Sequence, residues 1–302
     1  VPEGAEVKRC GELLSSIIGA KMIKEIVPVS GKLMRNWVDP QLSGLHVHDI
    51  LVKGKVIFIR FDPRADKCLV STLGMSGWWY PSLESLTEDQ RNVFAYVRGK
   101  SVKVVDVIAS SLKHTRVRID LTDGSSAHYV DPRNFGNLKV LSEAQAKVRF
   151  TELGKDPLGG ADDSELTDAL LYGCRKVHKP IGEILLDQSI IAGIGNIYRA
   201  EALFLAGIHP ARTCRSLTLQ DIEKIAKASS VVLKIAYHCG GAMSYPPEAI
   251  NPFFIAWKFV KPINRHLVYG CSHDIYGNLV ESCMVGGRRV WYSPARQILP
   301  PP

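Results

Sequence analysis

Asp187-Gln188-Ser189-Ile190-Ile191-Ala192-Gly193-Ile194-Gly195-Asn196-Ile197-Tyr198-Arg199-Ala200-Glu201-Ala202-Leu203-Phe204 is the stretch around which the chain is organised. It reads as a helix approach, a tight glycine turn and a new helix. Gly193 and Gly195 supply positive φ angles and let another backbone come close. Asn196 stands where an N-cap belongs. Behind it Ile197, Leu203 and Phe204 fall on one helical face, with Arg199 and Glu201 off that face. A glycine turn feeding a helix N-terminus gathers free N–H groups and a positive dipole end, which suits a phosphate. Taken alone, the stretch also reads as an ordinary helix hairpin, the commoner meaning of a G-x-G turn.

The composition sets the frame. At 302 residues the chain has room for two domains, and its 46% hydrophobic and 23% charged content is that of a globular protein. A net charge of +8 points to a polyanionic partner, either nucleic acid or an anionic surface. No apolar run approaches membrane-spanning length, and Val1–Arg9 lacks a signal-peptide core. The seven cysteines are scattered and contain no C-x-x-C pair, which argues for reduced thiols over a disulfide framework or a zinc site. A cytoplasmic or nucleoid location follows, or a nuclear one in a eukaryote.

Outward from the central stretch, Pro2–Ile18 reads as a helix with the proline at its first position and an apolar stripe of Val7, Cys10, Leu13, Leu14, Ile17 and Ile18. Strands are expected at Lys21–Val29, Leu45–Val52, Val56–Phe61, Cys68–Leu73, Ser101–Val107, Arg116–Leu121 and Ala127–Val130. Turns are expected at Lys53-Gly54-Lys55 and Asp123-Gly124. Residues 1–150 thus predict a two-sheet β-sandwich domain with flanking helices. A linker over 151–163 is marked by the Gly and Pro of Leu153–Gly160. A helical domain over 164–255 carries the central stretch and a long helix from Thr218, with Asp221 in the capping-box position. In 256–302 six basic residues stand against two acids, and Val280–Met284 can pair with Val290–Tyr292 across Gly286-Gly287. The fold class is α+β.

Four motifs then align in order: Pro2-Glu3-Gly4, Leu73-Gly74-Met75-Ser76-Gly77, Asp131-Pro132-Arg133-Asn134-Phe135-Gly136, and the central Gly193–Phe204, followed by Gly207-Ile208-His209-Pro210. With these the chain resembles the formamidopyrimidine-DNA glycosylase / endonuclease VIII family over nearly its whole length, and the central stretch is similar to that family's helix–two-turn–helix. The resemblance implies a bifunctional DNA glycosylase and abasic-site lyase of base excision repair. Its partner would be damaged DNA, and it would act as a monomer without cofactor or metal. Other repair proteins are conceivable partners that the sequence does not name.

The same resemblance assigns roles. Pro2 would be the nucleophile through a free terminal secondary amine, which titrates near pKa ~8. Val1 stands in the way, because it would make that nitrogen a tertiary amide. Read as a literal translation of a GTG start, residue 1 is expected to be Met and to be removed. Glu3 would protonate the sugar ring oxygen; on residues alone it is equally a first-turn carboxylate facing the helix dipole. Lys55, Lys179, Asn196 and Arg288 would hold phosphates, with Arg289 the alternative to Arg288 if the alignment slips by one. Met75, Arg133 and Phe135 would fill the gap left by an extruded base; Arg133 and Phe135 read without the family are a loop Arg and a buried Phe.

Departures from the family are informative. Where many members place four zinc cysteines, this chain has Tyr276, Leu279, Ser293 and Arg296. None is a thiolate, so a Cys₄ site is excluded and a zincless finger of the endonuclease VIII-like branch is expected. Cys271, His273 and Cys283 lack the family's ligand spacing. Ala5 and Lys155 replace prolines. The Pro2-Glu3-Gly4 start and the short Ala242–Asn251 segment favour oxidised pyrimidines, with formamidopyrimidines and hydantoins next. A preference for 8-oxoguanine is the alternative. A silent damaged-DNA-binding protein on the same scaffold is the rival from another class.

Overall fold

The computed structural model describes residues 2–32, 41–91, 94–97, 100–175, 178–238 and 266–299. Val1, Cys239, the Ala242–Asn251 segment and the basic residues Lys258, Lys261 and Arg265 lie outside them. The chain divides into two compact units, one of Pro2 and Val7–Phe150, the other of Glu3–Glu6 and Thr151 onward.

The first unit holds two four-stranded antiparallel sheets. Helix α1 (Gly4–Ile18) precedes β1 (Ile23–Pro28), β2 (Val47–Lys53), β3 (Val56–Phe61), β4 (Cys68–Thr72) and β5 (Trp78–Pro81). A short helix α2 (Glu88–Arg91) and a hairpin of β6 (Phe94–Val97) and β7 (Lys100–Lys103) lead to helix α3 (Val104–Leu112). Then come β8 (Thr115–Leu121), β9 (Ser126–Val130), β10 (Asn137–Leu141) and helix α4 (Glu143–Glu152). The sheets run β1-β8-β9-β5 and β10-β4-β3-β2. Alternation decides which faces are buried: Val117, Ile119 and Leu121 of β8 and Ile57, Ile59 and Phe61 of β3 join one core with Leu14 and Ile18 of α1. On the other face of β3, Phe58 meets Phe150 of α4 edge to face at 5.4 Å.

Two expectations need correction here. Helix α1 starts at Gly4, so Pro2 precedes it and is not its first residue; the Glu3 N–H donates to Glu6 Oε2 at 3.0 Å and so closes the helix end. Ser101–Val107 is not one strand, because β7 ends at Lys103 and α3 begins at Val104. Val104, Val107, Ile108 and Leu112 also satisfy helical spacing, and burial of Ile108 selects it. Strands β5, β6 and β10 and helix α4 were not anticipated.

The second unit is helical, with a hairpin appended. Helix α5 (Asp163–Arg175), the single turn α6 (Ile181–Ile184), α7 (Asn196–Ala206) and α8 (Leu219–His238) share a core that includes Leu170, Ile184, Ile194, Leu203 and Leu233. Thr218 and Asp221 form the expected reciprocal cap on α8. Strands β11 (Glu281–Val285) and β12 (Arg288–Tyr292) pair antiparallel, with Val285 opposite Arg288 across Gly286 and Gly287. No helix among the described residues is long and apolar enough to cross a membrane.

Candidate functional site

In the second unit the site is built on α7. The expected Asn196 cap is corrected: Gly195 is the N-cap and Asn196 the first helical residue. The helix N-terminus is occupied, and its occupant is a carboxylate from the other end of the chain. Glu3 is 2% exposed and accepts from the N–H groups of Gly195 at 2.8 Å, Ile197 at 2.9 Å and Tyr198 at 3.2 Å. The carboxylate thus takes the dipole end that a phosphate would otherwise favour. Of the two glycines expected at positive φ, Gly193 is so, at 103°, and Gly195 is not, at −124°; close approach explains Gly4 and Gly195. Gly4 donates to the Gly193 carbonyl at 2.8 Å, and a Cβ on Gly4 would lie 2.8 Å from the Gly193 Cα. A Cβ on Gly195 would collide with the Glu3 carboxylate itself. Glu6 completes the frame, taking the Tyr198 hydroxyl on Oε1 at 2.7 Å while its other oxygen holds the Glu3 amide.

Arg199 and Glu201 were expected off the apolar face; both are buried, because α7 is enclosed on every side from Ile197 to Phe204. Glu201 accepts from the N–H groups of Leu267, Val268 and Tyr269 at 2.6, 3.0 and 2.9 Å, tying the segment that leads to the β11–β12 hairpin to α7. Burial pushes its pKa up to about 7, against the pull of those three donors. The unfolded carboxyl titrates near 4.5 and the folded one near 7, so the folded chain holds the extra proton between them. The stability this group contributes is full below pH 4.5 and is lost as pH rises through 7. The loss is at most about 3 kcal/mol. Urea unfolding of wild type and Glu201→Gln across pH 4–8 should diverge in slope within that window; parallel profiles would refute the assignment.

Asn196 faces the β11–β12 hairpin. Its Nδ2 donates to the Arg289 carbonyl at 2.9 Å and its Oδ1 accepts from Arg199 Nη2. Arg288 and Arg289 are both exposed at the hairpin tip. Lys179 is engaged by Glu183 in an ion pair of 2.6 Å one helical turn away. The segment 274–296, which carries the β11–β12 hairpin, is held by side-chain contacts. Ser293 donates to Asp274 Oδ2 at 2.8 Å, and Arg296 stacks over the Tyr276 ring at 4.3 Å. Asp274 is fully buried and also takes the N–H groups of Tyr276 and Asn278. Burial alone would raise its pKa, and the hydrogen bonds from Asn278, Ser293 and Tyr276 hold it below the ordinary value instead. Cys271, His273 and Cys283 do not form a ligand cluster; among the described residues there is no group of three potential metal ligands.

In the first unit Pro2 is half-buried, and Lys55 sits in the two-residue turn between β2 and β3. Met75, Arg133 and Phe135 are brought together by a buried hub. Asp131 accepts the Ser76 hydroxyl at 2.6 Å and the Gly136 N–H at 2.7 Å, and Ser76 Oγ accepts the Arg133 N–H at 3.2 Å. Phe135 is therefore 56% exposed, not buried, with the Arg133 guanidinium 5.0 Å over its ring, and Met75 is 39% exposed. Large apolar side chains held out on a fixed loop pair are available to a partner. The roles of Asp131, Arg199 and Glu201 were missed. The one local signal was small Ala200 and Ala202 beside the two charges, which leaves α7 no polar face.

Comparison with known proteins follows the same division. The model for the formamidopyrimidine-DNA glycosylase N-terminal domain matches residues 1–138, and that for the formamidopyrimidine-DNA glycosylase H2TH domain matches residues 153–245. A formamidopyrimidine-DNA glycosylase of Exiguobacterium sibiricum is 30% identical over 305 aligned positions, covering 98% of this chain and 99% of the relative. That of Bacillus cereus strain ZK / E33L is 29% identical with the same coverage. Among solved structures, the Lactococcus lactis enzyme in complex with abasic-site DNA has a TM-score of 0.72 at 22% identity, with 98% of this chain and 99% of that one covered. A complex of a variant of that enzyme with Fapy-dG-containing DNA has a TM-score of 0.71 at 22% identity, with 98% and 100% covered.

Proposed function

The chain belongs to the formamidopyrimidine-DNA glycosylase / endonuclease VIII family, and from that membership we propose that it is a DNA glycosylase with abasic-site lyase activity, acting on damaged DNA in base excision repair. The observation that carries the reading is Glu3 locked by three N–H groups onto the start of the helix–two-turn–helix, immediately after Pro2. A carboxylate fixed beside a secondary amine is what imine chemistry at a sugar needs.

Pro2 attacks the anomeric carbon of the extruded nucleotide, and the damaged base leaves. The Glu3 carboxylate takes the proton that the amine sheds on attack and passes it to the ring oxygen as the ring opens. The protonated imine draws electrons from the sugar, so the 3′ and then the 5′ phosphate are eliminated and a gap remains. Met75, Arg133 and Phe135 occupy the emptied stack. Lys55, Asn196 and Arg288 hold phosphates, which position the site without reading sequence. Lys179 joins them once its carboxylate partner is exchanged for phosphate.

Oxidised pyrimidines and formamidopyrimidines are the substrates. The Pro2-Glu3-Gly4 start supports the first, and the names of the relatives support the second. The test is borohydride trapping on duplexes carrying thymine glycol, a formamidopyrimidine or 8-oxoguanine opposite cytosine. A covalent band mapping to Pro2 on the first two is expected. Tight binding with no band on any duplex would favour a silent binding protein, and a dominant band on 8-oxoguanine would overturn the substrate assignment.

A further inference from the structure

Arg199 is fully buried on α7, one turn behind Asn196. Its Nη1 donates to the carbonyls of Gly182 at 2.9 Å and Val285 at 3.3 Å, and its Nη2 donates to Asn196 Oδ1. Its Nε has no hydrogen-bond partner. All three acceptors are neutral. Burial first and the like charge of Arg288 second lower the pKa to about 10, with the Glu3 charge opposing, so the side chain remains a cation at neutral pH. A buried cation without a carboxylate partner is costly, and packing alone would be served as well by an apolar side chain.

The geometry gives the cation a task. A guanidinium can only donate, so it compels the oxygen of the Asn196 amide to face inward. The NH₂ end must then point the other way, where it meets the β11–β12 hairpin at the Arg289 carbonyl. Without Arg199 a single exposed hydrogen bond to the Arg289 carbonyl would hold the amide, and a half-turn that breaks it would present the oxygen, which would repel a phosphate. The second arm reaches Val285, the residue paired with Arg288 across the hairpin turn. One buried group therefore touches the supports of both Asn196 and Arg288.

We propose that Arg199 is a positioning residue for the phosphate grip, fixing the amide orientation of Asn196 and the root of the Arg288 hairpin together. This rests on Asn196 being a phosphate contact in the proposed function. The expected signature is partial non-additivity with Asn196, because the share of the effect that runs through the amide vanishes once the amide is gone and only the smaller share through the Arg288 hairpin remains.

The experiment is a double-mutant cycle in binding to a duplex containing tetrahydrofuran, an abasic analogue that forms no imine. Arg199→Met and Asn196→Ala are each expected to weaken binding about tenfold, and the double variant to be no more than about threefold weaker than the worse single one. If Arg199→Met does not fold, Arg199→Lys enters the same cycle. Lysine still only donates but cannot span Val285 and Asn196 together, so a smaller and equally non-additive loss is expected. Additive losses, or wild-type binding by the Arg199 variant that folds, would overturn the proposal. The readout needs no chemistry at Pro2, so a protein that binds, shows the non-additive cycle and never traps would refute the glycosylase reading alone. A wild type that does not bind the duplex refutes both.

Discussion

Protein that keeps a residue ahead of Pro2 is expected to lose borohydride trapping by at least about a thousandfold relative to protein that begins at Pro2. The reason lies in one nitrogen. As a terminal secondary amine it titrates near pKa ~8, so a useful fraction carries a free lone pair at neutral pH. As an X–Pro amide the same lone pair is delocalised into a carbonyl and cannot attack carbon. The measurement is intact mass and trapping yield on the same batch, with the two forms separated. Equal trapping by both would remove Pro2 as the nucleophile and direct attention to a lysine such as Lys55.

Glu3→Ala should have the second-largest effect, and it should act on stability and catalysis together. The substitution leaves the N–H groups of Gly195, Ile197 and Tyr198 without their acceptor at a helix start that is otherwise enclosed. Unpaired buried donors cost about 1–3 kcal/mol each, and water entering the space recovers part of this, so a net loss of about 3 kcal/mol is expected. Excision should fall about a thousandfold. Glu3→Gln separates the two contributions: its oxygen can still accept, so it should recover much of the stability while excision stays low. Urea unfolding and single-turnover excision on both variants make the comparison. Wild-type excision by Glu3→Gln would reduce Glu3 to a structural cap.

The fold was legible where the pattern is local. The hairpin of Val56–Phe61, the alternation in β8 and the Thr218–Asp221 cap all rest on neighbours within a few residues. The misreadings have a common cause. The Ser101–Val107 run satisfies strand composition and helical spacing at once, and only burial of Ile108 decides between them. Asn196 is a sound cap by residue type, yet Glu3 arrives from 192 residues upstream to take the N–H of Gly195. Arg199 and Glu201 look like surface charges in the sequence, and it is Val285 and Leu267, far along the chain, that cover them. The candidate site was legible as a set of residues through their order in the chain. What could not be read was which groups hold which, since those bonds join segments far apart in sequence.

The long reach of Glu3 also has a consequence for the order of events in folding. Its carboxylate lies 192 residues before the first of the N–H groups it accepts from. Helix α7 therefore cannot complete its own start from nearby residues, and a loop of that length closes slowly compared with local pairing. Sealing of the α7 N-terminus is expected to come late in folding, after the helices around it have packed.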